Sequence, residues 1–410
     1  MSRISRIITL LILITLIFSR VKMVDSRVKL GLEVLLDERF SLIKGKRIGL
    51  VTNQTGVDSC LRSNIDILYR FPGIRLTTLF APEHGIRGER LAGEYVKSYT
   101  DEKTGLPVYS LYGETRKPTK EMLKNVDVLI FDIQDVGVRH YTYISTMALA
   151  MQSAKENNIE FIVLDRPNPL GGIYVDGPVL EPEFSSFIGL YPIPNIYGMT
   201  IGELALMFNS EFKISSKLTV VPMNGWRRDM KFNQTGLYWV MSSPNIPDFE
   251  TVMLYPCTGP IGDTYLSVGV GTTKPFHFVG APYIDPDRLI VELLRRKIEG
   301  VFFRSAYFIP RYSKFQNKLC KGVEIYIIDK DKFKPLELCI NILDIIYRLY
   351  PKDFNWGDKS GERYIFDLSM GTDKVRRYIE SGIEPKEIIK VWKKDMEKFL
   401  IIRNKYLIYK

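Results

Sequence analysis

Short apolar runs alternate along the first half of the chain with stretches whose apolar positions recur at helical spacing. The runs are Arg47–Val51, Leu76–Phe80, Val108–Leu111, Val126–Phe131 and Phe161–Leu164, and a sixth follows at Leu218–Pro222. Runs this short, β-branched and almost without polar interruption predict strands buried on both faces of a parallel sheet. Helical patterns fill the gaps over Gly31–Leu42, Leu61–Phe71, Thr119–Asn125 and Tyr141–Asn157. Thr200, with Glu203 three residues on, forms a capping box that starts another helix. This rhythm predicts an α/β fold built on a doubly wound, mostly parallel sheet.

The texture changes after Trp226. Ser242–Pro247 and Tyr255-Pro256 read as turns, and Gly269–Thr273 as a tight loop. Farther on, strands over Val301–Phe308 and Val323–Ile328 mix with helices over Asp285–Lys297 and Pro335–Leu349, an α+β pattern. The chain, at 410 residues, exceeds the usual size of one core. The expected division is a larger domain over 25–278 and a smaller α+β domain over 279–410, with a cleft between them.

Each strand of the first half ends in polar residues, and ligands of open α/β sheets bind outside the carboxyl ends of the strands. The second run ends in Ala81-Pro82-Glu83-His84-Gly85. Pro82 fixes the approach and Gly85 permits a sharp exit. Glu83 and His84 suit general acid and base work, or else cap a turn and fill a structural position. Asp132 and Asp135 frame Gln134, with Arg139 close behind. Two carboxylates there suit metal, water activation or sugar hydroxyls, or one of them caps the helix near Tyr141. Asp165, Arg166 and Asn168 lie in a proline-fixed segment that either contacts ligand or pairs internally. Asn53 and Gln54 follow the first strand, where a polar or phosphate group fits a helix start. The chain has no dinucleotide glycine fingerprint, P-loop lysine, serine-hydrolase elbow or metal-ligand cluster, so no cofactor and no metal are expected.

Charge and the N-terminus narrow the setting. A net charge of +10 permits an anionic partner or merely a solvated surface. Without zinc-finger spacing, RNA-binding aromatics or a basic tail, nucleic acid is not an expected partner. Arg3 and Arg6 precede an apolar stretch over residues 7–18, short for a membrane span. Residues 1–24 are therefore expected to be a signal peptide or membrane anchor, and the protein extracytoplasmic, secreted or membrane-tethered. Cys60, Cys257, Cys320 and Cys339 are scattered, and either disulfides or buried free thiols are open to them.

Several segments together resemble the exo-acting β-N-acetylmuramidases, glycoside hydrolases that remove terminal N-acetylmuramic acid from peptidoglycan fragments. They are Gly49–Gly56, Pro82–Gly88, Phe131–Arg139, Leu164–Gly172, Gly198–Leu204, Ser243–Pro247 and Gly371–Asp373, spread over Leu30 to Tyr409. The resemblance implies a Rossmann-like first domain, a C-terminal auxiliary domain and a peptidoglycan or muropeptide-type glycan as partner. Glu83 falls on the family's proposed catalytic glutamate. On this reading Glu83 protonates the leaving oxygen, Asp132 or Asp135 activates water or steadies the sugar cation, and His84 orients Glu83. Arg87 and Arg139 would hold a substrate carboxylate such as a lactyl group. Asn53, Gln54, Gln134, Asp165, Arg166, Asn168, Tyr197 and Asn245 complete the expected substrate contacts. The chain also departs from the family, with Ile196-Tyr197 in place of Arg-His and with Gly262, Tyr265 and Val270 in place of Glu, Asn and Arg. Those changes leave open a weakened or inactive glycan-binding homologue, or a hydrolase of altered sugar specificity in which Tyr197 and Tyr265 stack on another sugar.

Overall fold

A computed structural model describes residues 27–88 and 97–410. The expected leader over 1–24 and most of the loop after Gly88 lie outside these residues. The first unit is built on a seven-stranded sheet: β1 (Arg47–Thr52), β2 (Arg75–Ala81), β3 (Tyr99–Thr100), β4 (Pro107–Ser110), β5 (Val128–Asp132), β6 (Glu160–Leu164) and β7 (Lys217–Val221). Their order in space is β3-β4-β2-β1-β5-β6-β7. All pairings are parallel except the short edge strand β3, which runs antiparallel to β4. All six apolar runs of the sequence became strands of this one sheet. The central β1 and β5 are buried almost throughout, which is why their sequences lack the alternation of a one-sided strand.

Helices cover both faces. Among them are α1 (Gly31–Glu38), α2 (Asn64–Arg70), α3 (Lys120–Leu123), α4 (Tyr143–Glu156) and α5 (Ile201–Glu211). The capping box at α5 forms: the Glu203 amide donates to Thr200 Oγ1 at 3.2 Å, and the Thr200 amide to Glu203 Oε2 at 3.0 Å.

The second unit starts earlier than its sequence suggested. Helix α6 (Phe249–Asp263) contains Pro256 and Pro260, each of which deletes one helical hydrogen bond. Those prolines are what made the segment read as turns. Burial overrides that penalty, because nearly all of Thr251–Ile261 is enclosed. Met253, Leu254, Cys257, Ile261, Leu266 and Val268 pack in one apolar cluster with Val323, Ile325, Leu343 and Phe366. The boundary therefore falls near residue 250, where the core changes, and not at 278. The unit continues with β8 (Phe278–Ala281), α7 (Pro286–Arg296), β9 (Val301–Phe308), β10 (Cys320–Ile327) and α8 (Pro335–Leu349). Its antiparallel sheet has the order β8-β10-β9. Helix α9 (Ile365–Met370) and three further helices lead to a tail that returns to the first unit. There Tyr409 Oη donates to Asp165 Oδ2 at 2.5 Å.

All four cysteines are free thiols; Cys60 is exposed and the other three are buried. No helix among the described residues is long and apolar enough to cross a membrane.

Candidate active site

Glu83 reaches its position through a strained turn. The Gly85 amide donates to the Pro82 carbonyl at 3.2 Å, closing a four-residue bend at the end of β2. His84 occupies its third position at φ +75°, left-handed backbone in which histidine is uncommon. Such strain gathers where surrounding packing needs a side chain in one place, and His84 is itself buried. The half-buried Glu83 accepts a hydrogen bond from Thr142 Oγ1 at 3.0 Å, at the start of α4.

Both side chains line a cavity of about 310 Å³ where the two units meet. The first unit contributes Glu83, His84, Tyr112, His140, Tyr141, Thr142, Ser243 and Asn245. The second contributes Tyr255, Gly259, Gly262, Asp263, the Leu266–Val268 segment, Lys314 and Ser369. Aromatic rings wall it: Tyr141 meets Tyr143 and Tyr255 edge-on at 4.9 and 5.7 Å, and His140 lies 5.0 Å from Tyr255. Burial drives the Tyr255 phenol well above its ordinary range, and the nearby charges of Asp263 and Glu83 add to it. Tyr255 thus stands in the field of carboxylates from both units. His140 is buried with neither ring nitrogen hydrogen-bonded. Burial, aided by the Arg139 charge, pushes its pKa down to about 3. It is a neutral imidazole with a free donor and a free acceptor.

Asp263 is the last residue of α6. Carboxylates are disfavoured at a helix C-terminus, and burial pushes this one up to about 6. Ser369 Oγ donates to its Oδ2. Lys314 Nζ donates to the flanking carbonyls of Gly262, at 2.5 Å, and Thr264.

The other expected site residues lie elsewhere. Asp132, expected opposite Glu83, is sealed in the sheet: Arg166 Nε donates to its Oδ1 at 2.6 Å and Asn64 Nδ2 to its Oδ2 at 2.8 Å. Arg166 also bonds the Val57 carbonyl at 2.8 Å. This network plugs the crevice between β1 and β5 where the strand order reverses, the usual ligand position of such sheets. Asp135 accepts from the Tyr197 hydroxyl and, at 2.7 Å, from the Gly137 amide. Burial raises its pKa to about 6, yet it does not line the cavity, nor does Tyr197. Tyr265 is exposed and packs 4.9 Å from Phe315, so neither of these two tyrosines lines the cavity.

Both arginines expected to hold a substrate carboxylate have protein partners. Arg87 is held by Asp101 through Nε and Nη2 at 2.9–3.1 Å. Arg139 is fully buried and donates to the carbonyls of Pro178, Ile193 and Ser369 at 2.6–2.9 Å. Asn53 accepts from Thr55, Gln54 donates to the Met241 carbonyl at 2.8 Å, and Gln134 donates to the Pro167 carbonyl at 2.7 Å. Asp165 accepts from Thr200 and Tyr409, and Asn168 Nδ2 donates to the Met199 carbonyl at 2.8 Å. These residues shape strand tips and do not face the cavity. Asn245 does face it, accepting from Tyr312 Oη at 2.9 Å.

Sequence reasoning passed over His140, Thr142, Tyr255, Asp263, Lys314 and Ser369. Asp263 left one legible trace, an acid beside glycine in a loop singled out for other residues. A second cavity of about 520 Å³ lies between Tyr174, Lys231 and Phe333, with Lys231 paired to Asp331 at 2.5 Å. Among the described residues no group of three or more His, Cys, Asp and Glu is placed to hold a metal ion.

Comparison with known proteins agrees with this architecture. The profile "Exo-beta-N-acetylmuramidase NamZ, N-terminal" matches residues 48–250, and its C-terminal counterpart matches 253–409. Peptidoglycan beta-N-acetylmuramidase NamZ of Bacillus subtilis is 52% identical over 383 residues, 93% of this chain and 92% of that protein. A crystal structure of a DUF1343 family protein from Bacteroides fragilis superposes with a TM-score of 0.87 at 44% identity, covering 94% of this chain and 99% of that one. A second such protein from the same organism gives 0.72 at 33% identity, over 93% and 99%. The profiles meet at the boundary the packing draws, and together they span nearly all the described chain. The chain belongs to the exo-β-N-acetylmuramidase NamZ family.

Proposed function

We propose that this protein is a glycoside hydrolase that removes a terminal N-acetylmuramic acid from peptidoglycan fragments, with Glu83 as the general acid. The observation that carries the assignment is the placement of Glu83: a carboxyl group at a strained strand end, bonded by Thr142 and facing a cavity that both units close. A glycosidic oxygen needs a proton as its bond to the anomeric carbon breaks, and a half-buried carboxyl group beside aromatic walls can deliver it. The volume, about 310 Å³, is at the lower end of small-ligand pockets. That size suits one terminal sugar better than a polymer threading through, as expected of an exo-acting enzyme. Tyrosine faces offer the apolar stacking surface that sugar rings favour.

On a chromogenic N-acetylmuramic acid glycoside with a poor leaving group, Glu83→Gln should lower kcat by about 10²–10⁴-fold, the usual worth of general acid catalysis. Wild-type turnover in that variant would refute the assignment of the acid.

A further inference from the structure

Glycosidases of the two-carboxylate type need a second acid group beside the proton donor. The aspartates nearest Glu83 in motif terms do not supply it, since Asp132 is locked to Arg166 and Asn64, and Asp135 lies outside the cavity. The cavity wall of the second unit supplies one. Asp263 lines it, ends α6, and is oriented by the Ser369 hydroxyl. The Ser369 carbonyl is in turn fixed by the first unit, accepting from Arg139 Nη2 at 2.9 Å and Asn195 Nδ2 at 3.0 Å. Lys314 crosses behind, bound to the carbonyls on either side of Asp263. A half-buried carboxylate at the wrong end of a helix is costly to stability. Here it is braced from two sides, and the brace spans both units.

We propose that Asp263 is the catalytic partner of Glu83, the base that activates water for attack on the anomeric carbon. This deepens the hydrolase reading and rests on it. Glu83 gives its proton to the glycosidic oxygen as the C1–O bond breaks and its electron pair passes to that oxygen. The water oxygen bonds to C1 and surrenders a proton to Asp263. The products are the shortened glycan alcohol and the free sugar with inverted anomeric configuration; solvent then carries the proton from Asp263 back to Glu83. Ser369 is a positioning residue, acting through Asp263. Burial makes Asp263 a stronger base than an ordinary surface carboxylate, its pKa being about 6.

The test compares wild type, Glu83→Gln, Asp263→Asn, Asp263→Ala and Ser369→Ala on aryl N-acetylmuramic acid glycosides. Asp263→Asn should lose about 10²–10⁴-fold in kcat. Azide should restore turnover to Asp263→Ala and give a glycosyl azide of inverted configuration, which a merely misfolded variant cannot do. Ser369→Ala removes a hydrogen bond to the ionised carboxylate, so the acid limb of its kcat/KM profile should move to higher pH. If wild type and Asp263→Asn turn over equally while Glu83→Gln is inactive, the assignment of Asp263 is overturned and the hydrolase reading stands. Retention of configuration with wild-type enzyme overturns the base role too. A wild type inert on every muramic acid glycoside sinks both readings together.

Discussion

His140 carries two unbonded ring nitrogens into a cavity that Glu83 shares, and its titration has a consequence for the fold. Its folded pKa of about 3 lies far below the roughly 6.5 of an unfolded histidine. Between those values the unfolded chain binds a proton that the folded chain refuses, so stability falls as pH falls through that window. Going from pH 6.5 to 4.5, wild type should lose about 2–3 kcal/mol more than His140→Phe, read as urea unfolding free energies at each pH. Equal losses in the two proteins would mean that the ring takes up its proton in place. Legibility differs from residue to residue for a physical reason. Glu83 was readable because its neighbours Pro82 and Gly85 advertise a forced bend. His140 and Asp263 gain their character from burial by residues more than a hundred positions away, and no local spacing records that.

At the scale of elements, the strands were legible and one helix was not. Two-sided burial leaves an unbroken apolar run, which any reading by period detects. Helix α6 breaks every local rule with Pro256 and Pro260, and stands because its surroundings enclose it. What the strand tips do was harder to foresee. Polar residues at the ends of β1, β5 and β6 resemble a binding site, yet Thr52, Asn64, Asp132 and Arg166 spend their bonding capacity on one another. Thus the polar crevice at the reversal of strand order is a staple, and the cavity between the units lies toward the tip of β2, under the second unit. Asp132→Asn should cost about 3–5 kcal/mol of stability, because it strands the buried Arg166 charge. At a temperature where the variant is folded, its kcat should match wild type. A large loss of kcat with unchanged unfolding free energy would return Asp132 to the chemistry.

Across the whole molecule, two separately packed cores meet around the hollow that Glu83 lines, and neither encloses it alone. Arg139 is the clearest sign of how tightly they are joined. Its guanidinium reaches the Ser369 carbonyl of the second unit, and burial without a neighbouring carboxylate lowers its pKa to about 9. The sequence marked Arg139 as a ligand group because a guanidinium fork suits a substrate carboxylate; its motif was legible and its structural partners were not. The two-domain plan was legible, whereas the boundary was displaced because loop-like composition hid a core helix.

The thiols offer a way to watch that joint work. With one sulfur at the surface and three walled inside, brief exposure of native protein to a maleimide should add a single label, and labelling in denaturant should add four, counted by intact mass. More than one adduct on native protein would reveal that the second core breathes open on that timescale. Because every sulfur is unpaired, refolding from denaturant calls for no oxidant, and the chain can be recovered under strong reductant with its architecture intact.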